Sequence, residues 1–404
     1  MDILYIANAV PYNKIRHAGG KTFHYYVKEL LDDGDFHVTV IGLCKQEETK
    51  DFDAKIDGLD CRPIITRGSF WKNVQRVLYD LWGICSFRKR YSQSYYKTAN
   101  ILKEAKRLQK EGFRPDIIEL EWTNMVLMID AIKKIFPEAK YVASEHDVSF
   151  LGAERRYRQA AGVKKHLKYR QYCKLKEQEL RALQKSDIIM PQNYKDKSLL
   201  IENGIESKKV FILTPYYHNM CGIVRKNVNH DILFWGAMYR EENYQAAFWF
   251  IQNVMPLLED TDVRFIIAGN KPPDSLKACQ CDRIIVTGFV EDEVPLFASS
   301  MCFVSPLISG AGIKVKVIEA LSAGIPILTN DIGIEGIPAE DGVSYFHCSD
   351  PKDYENVIRK LLAGEIDGNK LMAEQRNLIE EDFSLNASAN EFKAMLQSLA
   401  GKDE

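Results

Sequence analysis

Residues 309–319 read Ser-Gly-Ala-Gly-Ile-Lys-Val-Lys-Val-Ile-Glu, the densest concentration of chemically capable side chains in this sequence. The run Cys302–Pro306 before them is apolar and strand-like, and Val315–Ala323 after them has a helical pattern. A glycine-rich turn leading into a helix presents unpaired N–H groups and a partial positive charge, which suits a phosphate. Gly310 and Gly312 allow the backbone to approach a ligand closely. Lys314 and Lys316 fall in the first turn of a helix that begins near Ile313–Val315, where basic side chains oppose the helix dipole unless an anion is bound. Glu319 follows Lys316 by three residues, near the same helix face, where a carboxylate can accept hydrogen bonds from sugar hydroxyls. A Gly-x-Gly on its own would mean a tight turn with solvated lysines. Here the glycine pair, the lysines, the glutamate and a following Ala-x-x-Ala-Gly-x-Pro occur together, and they match a pyrophosphate with a ribose beside it.

Such a site must be held by strands and helices, and these alternate along the whole chain. Strand-like runs are expected at Ile3–Ala7, His37–Leu43, Ile117–Leu120, Tyr141–Ser144 and Ser186–Met190. Between them lie helical stretches, including Thr98–Lys110, Ala131–Phe136 and a charged helix from about Lys164 to Gln184; a long turn ending in Gly19-Gly20 follows the first strand. The pattern repeats in Asp231–Trp235, Val263–Ala268, Arg283–Val286, Cys302–Pro306 and Ile325–Thr329, with the helix Gln245–Leu258 stopped near Pro256. Strands separated by helices imply parallel sheets covered on both faces. Residues 214–230 have little periodicity and are the expected linker. The division is therefore 1–213 and 231–385, two Rossmann-like domains of the α/β class, with a last helix over 386–404 that can pack back on the first.

Length and composition agree with this division. A chain of 404 residues exceeds what one core usually serves. Its 46% apolar and 27% charged residues are ordinary for globular proteins. No apolar run approaches the ~20 residues that span a bilayer, and the opening MDILYIANAV reads as a buried strand rather than a signal peptide. Nine scattered cysteines suggest free thiols in a reducing, cytoplasmic setting. Cys279 and Cys281 form a CxC pair with no second pair to complete a metal site. The net charge of -2 hides an asymmetry: 38 basic against 28 acidic residues over 1–210, and 16 against 28 over the remainder.

The segment around Gly310–Glu319 resembles the donor-binding signature of family 4 glycosyltransferases, retaining enzymes of the GT-B fold, in a subgroup with a Gly-x-Gly-x-x-Lys loop. Phe234-Trp-Gly-Ala-Met-Tyr-Arg240 with Asn243, Phe265-Ile-Ile-Ala-Gly-Asn270, Val286-Thr-Gly-Phe-Val290 and Asp331-Ile-Gly-Ile-Glu-Gly336 resemble its other landmarks. The resemblance is dense over roughly 231–360 and thins to Gly19-Gly20 and Glu145-His146-Asp147 in the first half. It implies two Rossmann-like domains whose parallel sheets face across a cleft. It also implies a hexosyltransferase-type, retaining, metal-independent transfer from a nucleotide-sugar co-substrate, with no cofactor. Lys316 would neutralise the donor diphosphate, helped by Arg240, and Glu319 would bind the ribose. The backbone near Gly288, Phe289 and Val290 would hold the base. Gly310, Ala311, Gly312, Ile313 and Lys314 would line the donor, Gly19 and Gly20 would face its phosphates, and His146 would lie near the transferred sugar as positioner or base. Two departures bear on the sugar: Ala311 stands where many members carry a glutamate, and Ala237 and Asn243 stand where many carry a basic pair.

Acceptors of many bacterial relatives are glycans or lipid-linked saccharides used in cell-surface polysaccharide synthesis. The basic first half, with Tyr157, Tyr169 and Tyr172 among the Arg and Lys of Arg155–Arg181 and a second cluster at Phe87–Lys97, then implies contact with an anionic membrane surface on its cytoplasmic face. Nucleic acid is not an expected partner. The competing expectation is a catalytically idle GT-B subunit that partners an active transferase, suggested by Ala311, Ala237 and Asn243; retention of Lys316 and Glu319 argues against it.

Overall fold

The structure, a computed structural model, describes residues 1–12, 15, 17–46, 48, 56, 58–67, 73, 74, 77–81, 93–310 and 312–401. Ala311 and the basic stretch 87–91 lie outside these residues. The chain divides into two compact units, one of Met1–Tyr216 with Leu385–Glu404, the other of Tyr217–Ser384.

The first unit holds strands β1 (Asp2–Ala7), β2 (His37–Lys45), β3 (Leu59–Arg67), β4 (Ile117–Glu121), β5 (Lys140–Glu145) and β6 (Ile188–Pro191). They form one sheet in the order β3-β2-β1-β4-β5-β6, and each pairing is parallel. Ile3, Leu4, Tyr5, Ile6 and Ala7 are all buried, as a strand covered on both faces requires. The second unit holds β7 (Asn229–Trp235), β8 (Arg264–Ala268), β9 (Ile284–Gly288), β10 (Ser300–Ser305), β11 (Ile327–Thr329) and β12 (Phe346–His347). Their order is β12-β11-β10-β7-β8-β9, the same arrangement counted from β7. In each sheet the order reverses between the first strand of the unit and the fourth. Doubly wound sheets bind ligands at that reversal, outside the carboxyl ends of the strands.

Strand β3 was not expected from the sequence. Pro63 interrupts its apolar pattern, and it is tolerated because β3 is an edge strand paired only with β2, Pro63 opposite Gly42. The last helix, Leu385–Leu399, belongs to the first unit: Phe392 and Leu396 are buried in its core beside Tyr26 and Phe36. Tyr26 Oη donates to the Thr214 carbonyl at 2.7 Å and lies 2.7 Å from Ser388 Oγ. Phe250 and Phe265 anchor the second core with ring centroids 4.6 Å apart.

The turns after β7 and β8 are in unusually close contact. Gly236 N donates to the Ala268 carbonyl at 3.0 Å, and Gly269 N donates to the Gly288 carbonyl at 2.8 Å. Gly269 has φ +146°, and a Cβ there would sit 1.6 Å from the Gly236 carbonyl oxygen. Gly269→Ala is therefore expected to destabilise the second unit by about 3 kcal/mol. Urea unfolding of the full chain checks this, and an unchanged midpoint would show that the turn can rearrange at no cost.

Candidate functional site

The donor-type segment sits at the strand reversal of the second unit. Strand β10 is buried throughout, and the chain turns through Leu307–Gly312 into the helix Val315–Ala323. Gly312 has φ +70°, a conformation a glycine adopts without the cost of a Cβ clash. Lys314 is the residue that caps this helix, with no capping bond from its side chain; Val317 N donates to the Lys314 carbonyl at 2.8 Å, and the Val315 and Lys316 amides are left for another acceptor. Gly324, φ +66°, ends the helix in the left-handed conformation.

Strand β7 leads through Gly236–Arg240 into the helix Glu241–Asn253, whose acidic first turn, Glu241 and Glu242, complements the dipole. This helix places Asn243 beneath the neighbouring one. Lys316 Nζ donates to Asn243 Oδ1 at 2.7 Å and lies 4.6 Å from the centroid of the Phe234 ring. The Lys316 residue keeps some surface, but its ammonium is enclosed. Burial, reinforced by the nearby charge of Lys314, pulls its pKa down to about 7. Lys314 turns back: its Nζ donates to the Gly312 carbonyl at 2.5 Å and lies 3.8 Å from Glu335 Oε2. Two cations at one helix N-terminus, one of them enclosed and held by a neutral amide, is an arrangement an anion would relieve.

Glu319 lies one turn further along the helix and is buried. Its Oε1 accepts from His218 N at 3.4 Å, and Ser322 Oγ donates to its carbonyl at 2.8 Å. Arg240 is well exposed and its Nε is 2.6 Å from Glu242 Oε1. Gly288, φ +74°, ends β9, and Phe289 beyond it is 60% exposed. Three strand spacings, about 14 Å, separate β9 from β10 along the sheet edge. The structure thus gathers Gly310, Gly312, Ile313, Lys314, Lys316, Glu319 and Arg240 around one helix N-terminus. It places Gly288, Phe289 and Val290 further along the same edge.

Gly19, Gly20 and His146 belong to the first unit. Both glycines lie in the first turn of the helix Ala18–Asp33, which starts before the apolar pattern does. Its cap is His17, whose Nδ1 accepts from Gly20 N at 2.9 Å. The glycines are there for space. A Cβ on Gly19 would come within 3.2 Å of His146 Nδ1 and 3.3 Å of the Trp122 ring, and one on Gly20 within 2.2 Å of Ile15 Cδ1.

His146 follows β5, and its side chain is only 8% exposed. Gln192 Nε2 lies 2.8 Å from its Nδ1; an amide nitrogen only donates, so Nδ1 is the acceptor and Nε2 carries the proton. That Nε2–H donates to Glu121 Oε2 at 2.7 Å. The imidazole stacks on Trp122, centroids 4.5 Å apart and planes 14° apart. Trp122 itself has φ +70° and ψ 146°, a costly conformation for any residue other than glycine and a mark of a site under constraint. Sequence patterning pointed to none of Glu121, Trp122, Gln192 or the role of Asn243. Behind this shell the carboxyls of Glu119 and Glu145 are pushed up by burial, then by neighbouring carboxylates. Glu179 is pushed up to about 8, mainly by burial, although it accepts from Ser149 N and Phe150 N at the start of the helix Ser149–Arg158. Among the described residues no group of three or more His, Cys, Asp or Glu is arranged to hold a metal.

A family model described as glycosyl transferases group 1 matches residues 229–364. A curated relative, an uncharacterized 44.6 kDa protein in the cps region of Klebsiella pneumoniae, is 26% identical over 125 residues, which are 28% of this chain and 32% of that protein. The match thus spans about a third of the relative's length. Among solved structures, Anabaena HepE in complex with UDP is similar with a TM-score of 0.69 at 10% identity, over 98% of this chain and 100% of that one. A glycosyltransferase from Rickettsia africae gives 0.68 at 14% identity, over 100% and 99%. Sucrose-phosphate synthase from Thermosynechococcus elongatus gives 0.69 at 12% identity, over the whole of both chains. The chain therefore has the GT-B fold of two Rossmann-like units, and its likeness to group 1 glycosyl transferases covers most of the second unit.

Proposed function

We propose that this chain is a retaining glycosyltransferase that moves a sugar from a nucleotide-sugar donor to a glycan or lipid-linked saccharide in cell-surface polysaccharide synthesis. The observation that carries this is the helix N-terminus at the reversal of the second sheet, where Lys314 and Lys316 meet first-turn amides without a side-chain cap. Breaking a glycosyl–phosphate bond builds negative charge on the leaving diphosphate, and preorganised N–H groups and ammonium groups stabilise it directly. In a metal-independent reaction that charge is met by Lys316, Lys314 and the helix dipole. Glu319 takes the ribose hydroxyls, and Phe289 offers an exposed ring near the base. Solved structures of Anabaena HepE contain UDP and UDP-glucose, which supports a nucleoside diphosphate sugar as donor. The Klebsiella relative's place in a cps region supports a polysaccharide role.

His146 acts as a positioner. Both ring nitrogens are engaged, by Gln192 and Glu121, and the ring is clamped on Trp122. The leaving phosphate would take the acceptor's proton. His146→Ala is then expected to lower kcat about 10- to 100-fold while the shape of the pH–rate profile stays as it was. Loss of one limb of that profile would make His146 the base. The experiment that tests the function itself is hydrolysis and transfer with UDP-, GDP-, dTDP- and ADP-sugars. Turnover of one of them, lowered about 100- to 1000-fold in Lys316→Met, is the expected result, and no turnover of any would favour the idle subunit.

A membrane surface is the proposed meeting place with a lipid-linked acceptor, on the cytoplasmic side. No described helix is long and apolar enough to cross a membrane. The helix Gly162–Leu183 begins fully exposed, with Val163 81%, Leu167 55% and Tyr169 45% exposed. From Arg155 to Lys176 the chain carries Arg and Lys and no Asp or Glu. Apolar side chains among cations suit an anionic interface. Cosedimentation with anionic liposomes at low salt, weakened by Leu167→Glu, is the expected outcome; indifference to such liposomes would remove the membrane from the proposal.

A further inference from the structure

Asn243 has no catalytic atom, yet it occupies the most constrained position in the second unit's site. It is buried, and both ends of its amide are used. Nδ2 donates to the Ala237 carbonyl at 2.9 Å, which fixes the turn after β7, and Oδ1 accepts from Lys316 Nζ at 2.7 Å. A Cβ on Gly236 would come within 3.1 Å of Asn243 Nδ2, so the turn closes tightly over the amide. The only polar bond to the enclosed ammonium among the described hydrogen bonds thus comes from a neutral group. A carboxylate would be the simpler partner for a lysine.

We propose that Asn243 is a positioning residue that holds the Lys316 ammonium in place for the donor's diphosphate while leaving its charge uncompensated. The inference rests on the nucleotide-sugar assignment. A carboxylate at 243 would satisfy Lys316 before the donor arrives and would repel the diphosphate. An alkyl side chain would leave the ammonium without its aim. The neutral amide gives direction without pairing the charge that the ligand will meet. The charged groups around Lys316 are Lys314 and Glu319 on its own helix, Arg240 and Glu242 from the neighbouring one, and Glu335 beyond Lys314. With burial holding the lysine near neutrality, a bound diphosphate draws a proton onto it, so affinity falls as pH rises above about 7.

The test is calorimetric titration of the full chain with UDP, GDP, dTDP, ADP and inorganic pyrophosphate, from pH 6.5 to 8.5 and in two buffers of different ionisation enthalpy. The wild type is expected to bind with proton uptake, and its affinity to fall about tenfold across that range. Asn243→Asp is expected to bind at least about tenfold more weakly at pH 7 and to lose the pH dependence, because its lysine stays protonated in an ion pair. Asn243→Ala, the second variant should the first fold poorly, is expected to weaken binding about tenfold alone and to have no further effect in a Lys316→Met background, since it acts through that lysine. Additive losses, or a pH dependence unchanged by Asn243→Asp, would overturn the positioning role and leave the nucleotide assignment standing. A wild type that binds none of the probes would overturn both.

Discussion

Lys316→Met is expected to lower kcat/KM by about 100- to 1000-fold, as removal of a preorganised charge from a developing anion does. The same substitution should not weaken the fold at neutral pH. Lysine usually titrates near 10.5, and Lys316 titrates near 7 because its ammonium is enclosed and faces Lys314. The sign follows from the protons bound. Between about pH 7 and 10.5 the unfolded chain holds a proton that the folded chain has released, so stability rises with pH across that window. Below pH 7 the folded chain carries the full cost of enclosing the cation. Methionine keeps the stem's packing and removes that cost, although it leaves Asn243 Oδ1 without its donor. The net expectation is a gain on the order of 1–2 kcal/mol at pH 6.5, shrinking toward pH 10. Thermal unfolding at several pH values, set beside steady-state kinetics, checks both halves. A parallel loss of stability and activity would make Lys316 a structural residue.

The second large effect is expected at Glu319. Glu319→Gln keeps the size of the side chain and an acceptor, but replaces charge-assisted bonds to ribose hydroxyls with neutral ones. A loss of about 1.5–3 kcal/mol, roughly 10- to 100-fold in nucleoside diphosphate affinity, is expected. Ligand chemistry can separate this from a local disturbance. Inorganic pyrophosphate should bind the variant as it binds the wild type, and 2′- and 3′-deoxy analogues should lose affinity on the wild type alone. If pyrophosphate is lost equally, Glu319 supports the helix rather than the ribose. Its contact with His218 N makes that alternative a concrete one.

The candidate residues of the two units were legible to different degrees. The segment Ser309–Glu319 is local: a strand, a glycine turn and a helix start lie within about a dozen residues, so spacing alone puts lysines and a carboxylate at one helix N-terminus. The helix Val315–Ala323 begins and ends where its residues predict. The partners of His146 are a different matter. Glu121 and Gln192 reach it from β4 and from beyond β6, 25 and 46 residues away, and only the sheet order β4-β5-β6 brings them together. No periodicity encodes such a meeting. Trp122 is hidden for another reason, since its left-handed backbone is imposed by its surroundings against its own preference. Asn243 looked like a missing cation because its neighbour in space, Lys316, is 73 residues away. Strand β3 escaped because proline argues against a strand in general, and only its place at the sheet edge lifts that objection.

Gly19 and Gly20 show how a residue singled out in the sequence can have a different setting in the fold. Paired glycines ordinarily mark a loop, and helix propensity alone would put the helix start after them. In the fold they begin the helix Ala18–Asp33, where a Cβ would press on Trp122, His146 and Ile15 and where His17 supplies the cap. Tertiary packing outweighed a propensity cost of about 1 kcal/mol per glycine.

The central claim is that the second unit binds a nucleoside diphosphate through Lys316 and Glu319. Its most direct test is calorimetric titration of the wild type and of Lys316→Met with UDP, GDP, dTDP and ADP at pH 7. One nucleotide is expected to bind the wild type and, at about 100 times its dissociation constant, to stabilise it by roughly 2.7 kcal/mol. Lys316→Met, folded and no less stable, is expected to bind it at least about 30-fold more weakly. A wild type that binds none of the four at millimolar concentration, or a variant that binds as the wild type does, would contradict the account.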